Sequence, residues 1–507
     1  MFVKGRNTRV LRPFFVLFLL GLAGCAAGPV DYPREHSEAI PVSTESTLGR
    51  ATSEWQRESG AQSGFYPLGA GFDALTARLA LMDLAEISID AQYFLMKNDR
   101  AGRIFAAKML EAADRGVRVR FLLDDIFTTV DDDSLLMLDS HPNIEVRLFN
   151  PVARRGLYYF NYLGDFKRAN RRMHNKSFIV DNAIGVVGGR NIAAEYFQLE
   201  EHGEFADFDM LLAGNITGEV EGSFDRFWNH AYAVPVEAFK DADEQVDYDA
   251  RRDLLTSLED EGEAEYQQAL QQHSVGQQWQ DLSRLIPAEA RVVTDDPEKL
   301  VHKPAGEYQV LINELTQAME AAESEVIILT PYLVPGEGAM HVIKGLRERG
   351  VRVVIFTNSL ASTNHVAVHG AYARYREPLV EAGVELHEIR VNAVPGAGDE
   401  KLTLHTKLII IDRQVSFIGS LNVDPRSVDI NTEMGIMVES TEIGQAIATG
   451  ALTLLRPVSY RVSLVDGDLV WQADIDGETV ELSKEPDTSG WRRFKATMSK
   501  VVPESQL

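Results

Sequence analysis

The chain contains the pattern His-x-Lys-x4-Asp twice, and this repetition constrains its fold more than any other feature. The first copy is HNKSFIVD at residues 174–181, and the second is HTKLIIID at residues 405–412. Each copy is followed by a turn of small residues that ends in asparagine, GGRN at 188–191 and GSLN at 419–422. Two copies with the same kind of turn downstream indicate an internal duplication, so we expect two similar halves.

The segments that precede the two copies also match each other. In each half a helical pattern ends at a glycine, Gly116 or Gly350, and a buried-looking apolar run follows at 117–125 or 351–359. Helices that end at glycine and alternate with apolar strands predict βαβ units and a mostly parallel sheet. The predicted fold class is therefore α/β, with a duplicated mixed or parallel sheet flanked by helices in each of two lobes.

Shifts in composition predict the domain boundaries. A length of 507 residues suggests about three domains. Residues 240–300 begin with an acidic, Gln-rich stretch and read as a linker or insert, and the repeat stops after 457. The predicted units are a signal peptide (1–24), a polar stalk (25–60), lobe 1 (61–239), the acidic linker (240–300), lobe 2 (301–457) and a C-terminal extension (458–507).

The first 25 residues form a targeting segment. Four basic residues precede an apolar run at 14–22, which is too short to span a bilayer, where ~20 residues are needed. The run ends in Leu-Ala-Gly-Cys at 22–25, which resembles a bacterial lipoprotein signal. We therefore predict lipid on Cys25, the only cysteine of the chain, and a tethered protein in the bacterial cell envelope, facing the periplasm. A plain secretory signal or an N-terminal anchor is the alternative, and inner or outer membrane is left open.

The net charge of −26 limits the partners. A strongly acidic surface repels nucleic acid and anionic lipid, so any phosphate must be captured by a local basic pocket. A cluster of six basic residues precedes the first copy of the repeat and is expected to bind anionic headgroups, although ordinary pairing with surface acids explains it too. These residues are Arg154, Arg155, Lys167, Arg168, Arg171 and Arg172.

The repeated residue types suit chemistry at a phosphodiester. In His-x-Lys the two side chains share one face of a strand, as in His174 with Lys176 and His405 with Lys407. Reaction at phosphorus needs a nucleophile, an acid for the leaving alkoxide and cations for the phosphate oxygens. Two histidines can divide the first two tasks while the lysines hold the oxygens. The arrangement requires no metal and no cofactor, and no carboxylate cluster has convincing metal spacing.

Two further pairs of residues belong to the repeat. Asn191 and Asn422 end the two turns and are expected to help bind the phosphate oxygens. Asp181 and Asp412 complete the two copies of the pattern. We expect these aspartates to have a structural role, as hydrogen-bond partners of the backbone or of lysine, more than a catalytic one.

Longer stretches around these motifs resemble a known family. NRRMHNKSFIVDN, VGGRNIAAEYF, LHTKLIIID and GSLNVDPRSVDINTEMGI resemble the phospholipase D superfamily, in particular bacterial cardiolipin synthases of the C type. The resemblance implies two α/β lobes that share one central cleft. It also implies a covalent phosphatidyl-histidine, with His174 as the nucleophile and His405 as the general acid. A carboxylate beyond each turn would orient the histidine, Asp207 in the first half and Glu433 in the second.

The resemblance implies phospholipid substrates, a membrane surface as partner, no nucleic acid and catalysis by a monomer, and it leaves room for an accessory protein. The predicted reaction transfers a phosphatidyl group to phosphatidylglycerol and makes cardiolipin. Hydrolysis by the same site, as in a phospholipase D, is the nearest alternative. A nuclease is disfavoured by the acidic charge, and a catalytically silent lipid-binding lipoprotein is disfavoured by the two intact motifs. The phosphatidyl donor is left open.

Overall fold

The computed structural model describes residues 31–153, 162, 164–199, 204–239, 253, 281–302, 308–392, 401–475 and 477–499. These residues form two mixed α/β lobes, as predicted. The strands of the first lobe are β1 (Ser63–Leu68), β2 (Ser88–Tyr93), β3 (Arg118–Asp124), β4 (Ile144–Phe149), β5 (Ser177–Val180), β6 (Ile184–Gly188), β7 (Glu204–Ala206), β8 (Asp209–Gly214), β9 (Ala233–Pro235) and β10 (Ile286–Pro287). Its helices are α1 (Thr47–Ser59), α2 (Gly71–Leu84), α3 (Arg100–Asp114), α4 (Asp132–Asp139), α5 (Phe166–Ala169) and α6 (Asn215–Trp228).

The second lobe repeats this plan. Its strands are β11 (Glu289–Thr294), β12 (Glu325–Leu329), β13 (Arg352–Asn358), β14 (Glu385–Ile389), β15 (Leu402–Leu404), β16 (Leu408–Ile411), β17 (Val415–Gly419), β18 (Met434–Glu439), β19 (Ser459–Val465), β20 (Asp468–Ile475) and β21 (Glu478–Leu482). Its helices are α7 (Val310–Glu320), α8 (Gly336–Glu348), α9 (Val366–Tyr372), α10 (Arg376–Glu381), α11 (Pro425–Asp429), α12 (Thr441–Leu455) and α13 (Gly490–Ser499).

The two large sheets have matching strand orders. The first runs β10-β1-β8-β6-β5-β2-β3-β4-β9, and the second runs β11-β18-β17-β16-β12-β13-β14-β19-β20-β21. Among the described strands of these two large sheets, parallel pairing is confined to β2-β3-β4 and β12-β13-β14. The motif strands β5 and β16 lie antiparallel to β2 and β12, and each also pairs antiparallel with the strand that follows it, β6 or β17. The sheets are therefore mixed, with the motif strand next to the parallel centre in both lobes.

The lobes face each other through an apolar layer. Ile179, Met210 and Leu212 of the first sheet belong to the same buried cluster as Ile410 and Ile418 of the second. Removing such side chains from water stabilises the contact by roughly 1.5–3 kcal/mol for each fully buried one. A short parallel pair, β7 with β15, also crosses between the lobes. Both connections place the start of one motif strand opposite the other lobe.

The predicted stalk differs from the structure over residues 31–60. The chain first runs along the first lobe, where the Ala39 N–H donates to Asp225 Oδ2 at 2.8 Å. It then forms α1, in which Leu48 and Trp55 are buried. These two residues lie seven apart and so share one helix face. The low overall hydrophobicity of the segment concealed this narrow stripe, and the segment is part of lobe 1.

The linker and the C-terminal extension also contribute to the sheets. Most of residues 240–280 lie outside the described residues, but β10 and β11 follow and form one edge of each sheet. Strands β19, β20 and β21 extend the second sheet beyond β14. The extension is thus built into lobe 2. In the part of the chain that the structure describes, no helix combines the length and the apolar character needed to cross a membrane.

Asp181 and Asp412 lie just beyond the motif strands, at the end opposite the histidines. Both adopt positive φ, 53° and 51°, which aspartate tolerates better than most residues. The carboxylate of Asp181 accepts from the N–H of Ile87 at 2.8 Å and of Ser88 at 3.0 Å, with Glu86 farther at 3.3 Å. These aspartates therefore join strands through backbone hydrogen bonds, as expected for structural members of the motif.

The Asp412 carboxylate makes the matching bonds in the second lobe. It accepts from the N–H of Glu323 at 2.9 Å, of Ser324 at 2.7 Å and of Glu325 at 2.9 Å. Asp181 is fully buried and Asp412 is only partly buried. The same bonding pattern thus occurs in two different solvent environments.

Replacing Asp181 with alanine is expected to destabilise the protein by about 3 kcal/mol, because buried N–H groups lose a charged acceptor. Asp412→Ala should cost less, since water can reach the freed N–H groups. Chemical denaturation followed by circular dichroism measures both, and Asp181→Asn, which keeps one acceptor oxygen, is the matched control. Equal stability of Asp181→Ala and the parent would contradict this role.

Candidate active site

Both motif histidines line one cleft between the lobes, with a volume of about 910 Å³. The structure therefore brings the two halves of the predicted site together. The cleft wall is rich in aromatic and amide side chains. It includes Phe94, Phe127, Tyr162, Phe166, Asn170, His174, Asn191, Tyr196, Phe205, Tyr332, Asn364, His365, His405, Asn422, Asp424, Arg426 and Asn431.

His174 is held by the opposite lobe. Its backbone N–H donates to Thr432 O at 3.0 Å, and its ring Nδ1 lies 2.8 Å from Glu433 Oε2. The ionised form of Glu433 only accepts, so next to this form Nδ1 carries the proton and Nε2 keeps the free electron pair. The ring of Phe94 packs edge-on against the imidazole, with 4.7 Å between centroids. The histidine is therefore fixed in one orientation.

His405 is held in the mirror-image way. Its backbone N–H donates to Ala206 O at 2.8 Å, and its Nδ1 donates to Asp207 Oδ2 at 2.6 Å. Phe205 stacks on the imidazole with an angle of 14° between the rings. Each histidine is thus oriented by a carboxylate of the other lobe. The sequence predicted both carboxylates as orienting residues without indicating which of the two histidines each one faces.

The two motif lysines lie beneath the histidines and are buried. Lys176 Nζ donates to His174 O at 2.6 Å and lies 5.2 Å from the centre of the Phe94 ring. Lys407 Nζ donates to His405 O and lies 3.2 Å from His405 Nε2. Burial lowers the pKa of Lys176 to about 7 and that of Lys407 to about 8. A bound anion such as a phosphate would raise the pKa of both lysines and so favour their charged ammonium forms.

Both histidines are neutral in the free protein. Burial and the charges of Lys176 and Lys407 lower the pKa of His174 well below its usual value. Burial and Lys407 lower the pKa of His405 to about 3, although Asp207 opposes the shift. A neutral imidazole with a fixed Nδ1–H has the electron pair that a nucleophile needs.

The two orienting carboxylates differ in charge state. Burial opposes the ionisation of Asp207, but Lys407 and His405 outweigh it and hold its pKa below the usual value. Burial raises the pKa of Glu433 to about 7, with Lys176 opposing. Asp207 is therefore ionised at neutral pH, whereas Glu433 is partly protonated. The site is symmetric in layout and asymmetric in electrostatics.

One difference between the two turns accompanies this asymmetry. The Asp207 carboxylate lies against Gly189, where a Cβ would come within 2.2 Å of Oδ1. In the second lobe the corresponding residue is Ser420, whose hydroxyl donates to Glu433 Oε2. A shorter carboxylate thus faces glycine, and a longer one faces serine.

Asn191 and Asn422 reach the cleft as predicted. Asn191 Nδ2 donates to the Tyr196 hydroxyl at 3.0 Å. The side-chain oxygens of both asparagines are buried and have no hydrogen-bond partner among the described residues. Such unpaired polar atoms are costly unless a ligand satisfies them. Since the unpaired atoms are acceptors, they fit a hydroxyl or another donor better than a phosphate oxygen.

The sequence reasoning missed Arg426. Its guanidinium lines the cleft and donates to the Asn170 side chain at 2.9 Å and to Asn170 O at 2.7 Å across the lobes. It also contributes to the lowered pKa of His174. Its place in the quoted GSLNVDPRSVD stretch, seven residues before Glu433, was the available signal.

The basic cluster before the first motif is largely structural. Arg172 is buried and bonds Asp124 at 3.1 Å, and Arg168 pairs with Asp165 at 2.6 Å. Lys167 is exposed. Residues 154 and 155, and Cys25 with the whole predicted signal peptide, lie outside the described residues. Headgroup capture by the cluster as a unit is therefore not supported by its described members, which favour ordinary pairing with acids.

Comparison with known proteins agrees with this geometry. The family described as cardiolipin synthase with a PLD-like domain matches residues 79–228 and 315–450. Cardiolipin synthase C of Escherichia coli strain K12 is 36% identical over 457 residues, which cover 88% of this chain and 96% of that protein. An uncharacterized protein of Helicobacter pylori is 32% identical over 472 residues, which cover 91% of this chain and 92% of that protein.

The fold also has a solved counterpart. Phosphatidylserine synthase of Haemophilus influenzae Rd KW20 superposes with a TM-score of 0.52 at 15% sequence identity, covering 80% of this chain and 91% of that one. At this identity the likeness concerns the fold, and it confirms the two-lobed α/β architecture. The family match includes both copies of the motif, and the chain belongs to the cardiolipin synthase family of phospholipase D-like enzymes.

Proposed function

We propose that the protein is a phosphatidyltransferase that makes cardiolipin, moving a phosphatidyl group from a donor phospholipid to phosphatidylglycerol. The observation that carries this proposal is the pair of buried histidines in one cleft, each oriented by a carboxylate of the other lobe. The relative named Cardiolipin synthase C supports the choice of product. One chain supplies both histidines, so we propose that a monomer is sufficient for catalysis.

The proposed reaction has two steps. In the first, the bound phosphodiester anion favours uptake of a proton from solvent at His405 Nε2. His174 Nε2 then attacks phosphorus, the bond from phosphorus to the leaving oxygen breaks, and the His405 imidazolium gives this proton to the departing alcohol. In the second, His405 removes a proton from the hydroxyl of phosphatidylglycerol, and that oxygen displaces His174 from phosphorus. Lys176 and Lys407 stabilise the negative charge on the phosphate oxygens in both steps.

The charge states favour this division of roles. An acid must carry a proton, and the ionised Asp207 stabilises an imidazolium at His405 better than a partly protonated Glu433 would at His174. The charge of Lys407 opposes protonation of His405, and a bound phosphate anion would offset that charge.

The aromatic wall favours transfer over hydrolysis. Phe94, Phe127 and Phe205 line the cleft together with Tyr196 and Tyr332. An apolar wall excludes water and accommodates an alcohol that carries hydrocarbon. The apolar wall therefore favours a lipid acceptor over water. A nucleic acid is disfavoured for a different reason, because the net charge of −26 repels it.

The proposed location follows from the N-terminal motif. Lipid on Cys25 would tether the protein to a membrane of the cell envelope, where its substrates are found. The segment from residue 31 onward packs along the first lobe, so the anchor would connect to the body through few residues.

The first test is a product assay with the parent, His174→Ala and His405→Ala. Labelled phosphatidylglycerol, with and without phosphatidylethanolamine, should give labelled cardiolipin with the parent only, because each variant lacks one essential group. A parent sample quenched during turnover should carry a phosphatidyl adduct on His174, seen in the intact protein mass, and His174→Ala should carry none. The exposed His341 lies outside the cleft, and His341→Ala is the matched control. Phosphatidic acid as the sole product would replace this proposal with hydrolysis.

A second test separates the two carboxylates. Asp207→Asn removes the charge that stabilises the protonated His405, so kcat should fall about a hundredfold. Glu433→Gln resembles a form that is already populated at neutral pH, so a loss of about tenfold is expected. Steady-state kinetics on both variants measures the difference. A larger loss for Glu433→Gln than for Asp207→Asn would reverse the assignment of nucleophile and acid.

The lysines predict an alkaline limb in the pH profile. An ammonium group is charged below its pKa, so positive charge is lost as the pH rises through about 7 for Lys176 and about 8 for Lys407. Because kcat/KM reports the free enzyme, it should fall over this range, while kcat falls at higher pH since bound phosphate retains the protons. Circular dichroism across the same range controls for unfolding. A flat kcat/KM between pH 7 and 9.5 would count against both lysines as cationic ligands.

A further inference from the structure

Helix α13 presents an apolar face to solvent. Trp491, Phe494 and Met498 are 64%, 52% and 55% exposed, and their spacing of three and four residues places them on one side of the helix. The two rings stack on each other at 5.4 Å. Single exposed apolar residues are ordinary, but three adjacent large ones mark an interaction surface.

Basic residues flank this face. Arg492, Arg493 and Lys495 lie in α13, which contains no acidic residue, although the chain as a whole has a net charge of −26. Lys495 Nζ lies 5.4 Å from the Trp491 ring, at the border of the apolar face. Aromatic and apolar residues on one side of a helix with lysine and arginine beside them are typical of helices that lie in a lipid interface.

The helix is mounted firmly on the second lobe. It crosses α9 at Gly370, where a Cβ would lie 2.4 Å from Ala496 O, so only glycine permits this approach. Arg492 Nε donates to Leu360 O at 2.7 Å, and the same guanidinium bonds Thr363 O. The apolar face is therefore left exposed by a helix whose opposite side is specifically packed.

Helix α9, on which α13 packs, also forms part of the cleft wall. His365, Ala367 and Val368 belong to α9 or precede it directly, and all three line the active-site cleft. Packed helices lie 8–10 Å apart, axis to axis. The apolar face of α13 is thus linked to the cleft wall through the packed pair of helices α9 and α13.

We propose that α13 docks the enzyme on an anionic phospholipid surface and thereby holds the cleft next to its lipid substrates. This inference rests on the proposed function in so far as the substrates are phospholipids. Anionic headgroups neutralise Arg493 and Lys495 while Trp491, Phe494 and Met498 enter the acyl boundary. A second copy of α13 suits the face less well, because pairing would bring the same cations together.

The test is vesicle flotation with the predicted mature chain, residues 25–507 carrying Cys25→Ala, so that neither the apolar run at 14–22 nor lipid on the cysteine contributes. Vesicles of phosphatidylglycerol and phosphatidylcholine should bind this protein, and vesicles of phosphatidylcholine should bind it at least tenfold more weakly. Adding Trp491→Ser, Phe494→Ser and Met498→Ser together should lower binding at least about tenfold. Arg493→Gln should lower it about fivefold, and added salt should do the same.

The matched control replaces three apolar residues that are equally exposed elsewhere. Val42, Leu454 and Val465 are 52%, 70% and 41% exposed, and their combined change to serine should leave vesicle binding unaltered. Turnover of a soluble short-chain phospholipid should be equal in all variants. Its absence from the parent would refute the proposed function without bearing on vesicle binding.

Three results would overturn the docking role. The first is undiminished flotation of the α13 triple variant, and the second is no flotation of the parent. The third is a concentration-dependent dimer of the parent, seen in sedimentation, that the triple variant abolishes, since the face would then bind a second copy. Loss of flotation in the triple variant, with retained short-chain turnover and an unchanged melting temperature, would support it.

Discussion

The site depends on two hydrogen bonds that cross between the lobes, from His174 to Glu433 and from His405 to Asp207. Among the described residues, neither motif histidine pairs with a carboxylate of its own lobe. Each backbone bond next to these pairs, at Thr432 and Ala206, also crosses. Separating the lobes would remove the orientation of both imidazoles at once, so the assembly of the lobes and the formation of the site are the same event.

The crossed arrangement also explains the apolar layer between the sheets. A buried carboxylate, imidazole and ammonium lose the stabilisation of water, and this loss is tolerated only where the groups pair closely. The shared cluster that contains Met210 and Ile410 holds the lobes together close to the charged groups. It therefore supplies the binding free energy that keeps the polar site desolvated, and desolvation in turn lowers the pKa of both lysines.

Much of the fold and of the site could be predicted from the sequence, because the duplication places the same motifs in both halves of the chain. The motif strands, the turns with Asn191 and Asn422, and the alternation of helix and strand all repeat at matching positions. The crossed pairing could not be read in this way, because spacing along the chain fixes distances within one lobe and says nothing about which lobe a carboxylate faces. Helix α1 was missed for a different reason, since two apolar residues, Leu48 and Trp55, suffice to pack it among polar neighbours.

Duplication by itself gives a site with two equivalent histidines, yet a transfer reaction needs one group that attacks and one that protonates. The difference between the halves lies in very few atoms. Glycine at 189 brings the lobe 1 backbone close to a short, ionised Asp207, whereas Ser420 donates to a longer Glu433 whose pKa is raised to about 7. The repeated fold supplies the symmetric framework, and these differences near the contact between the lobes make the surroundings of its two histidines unequal.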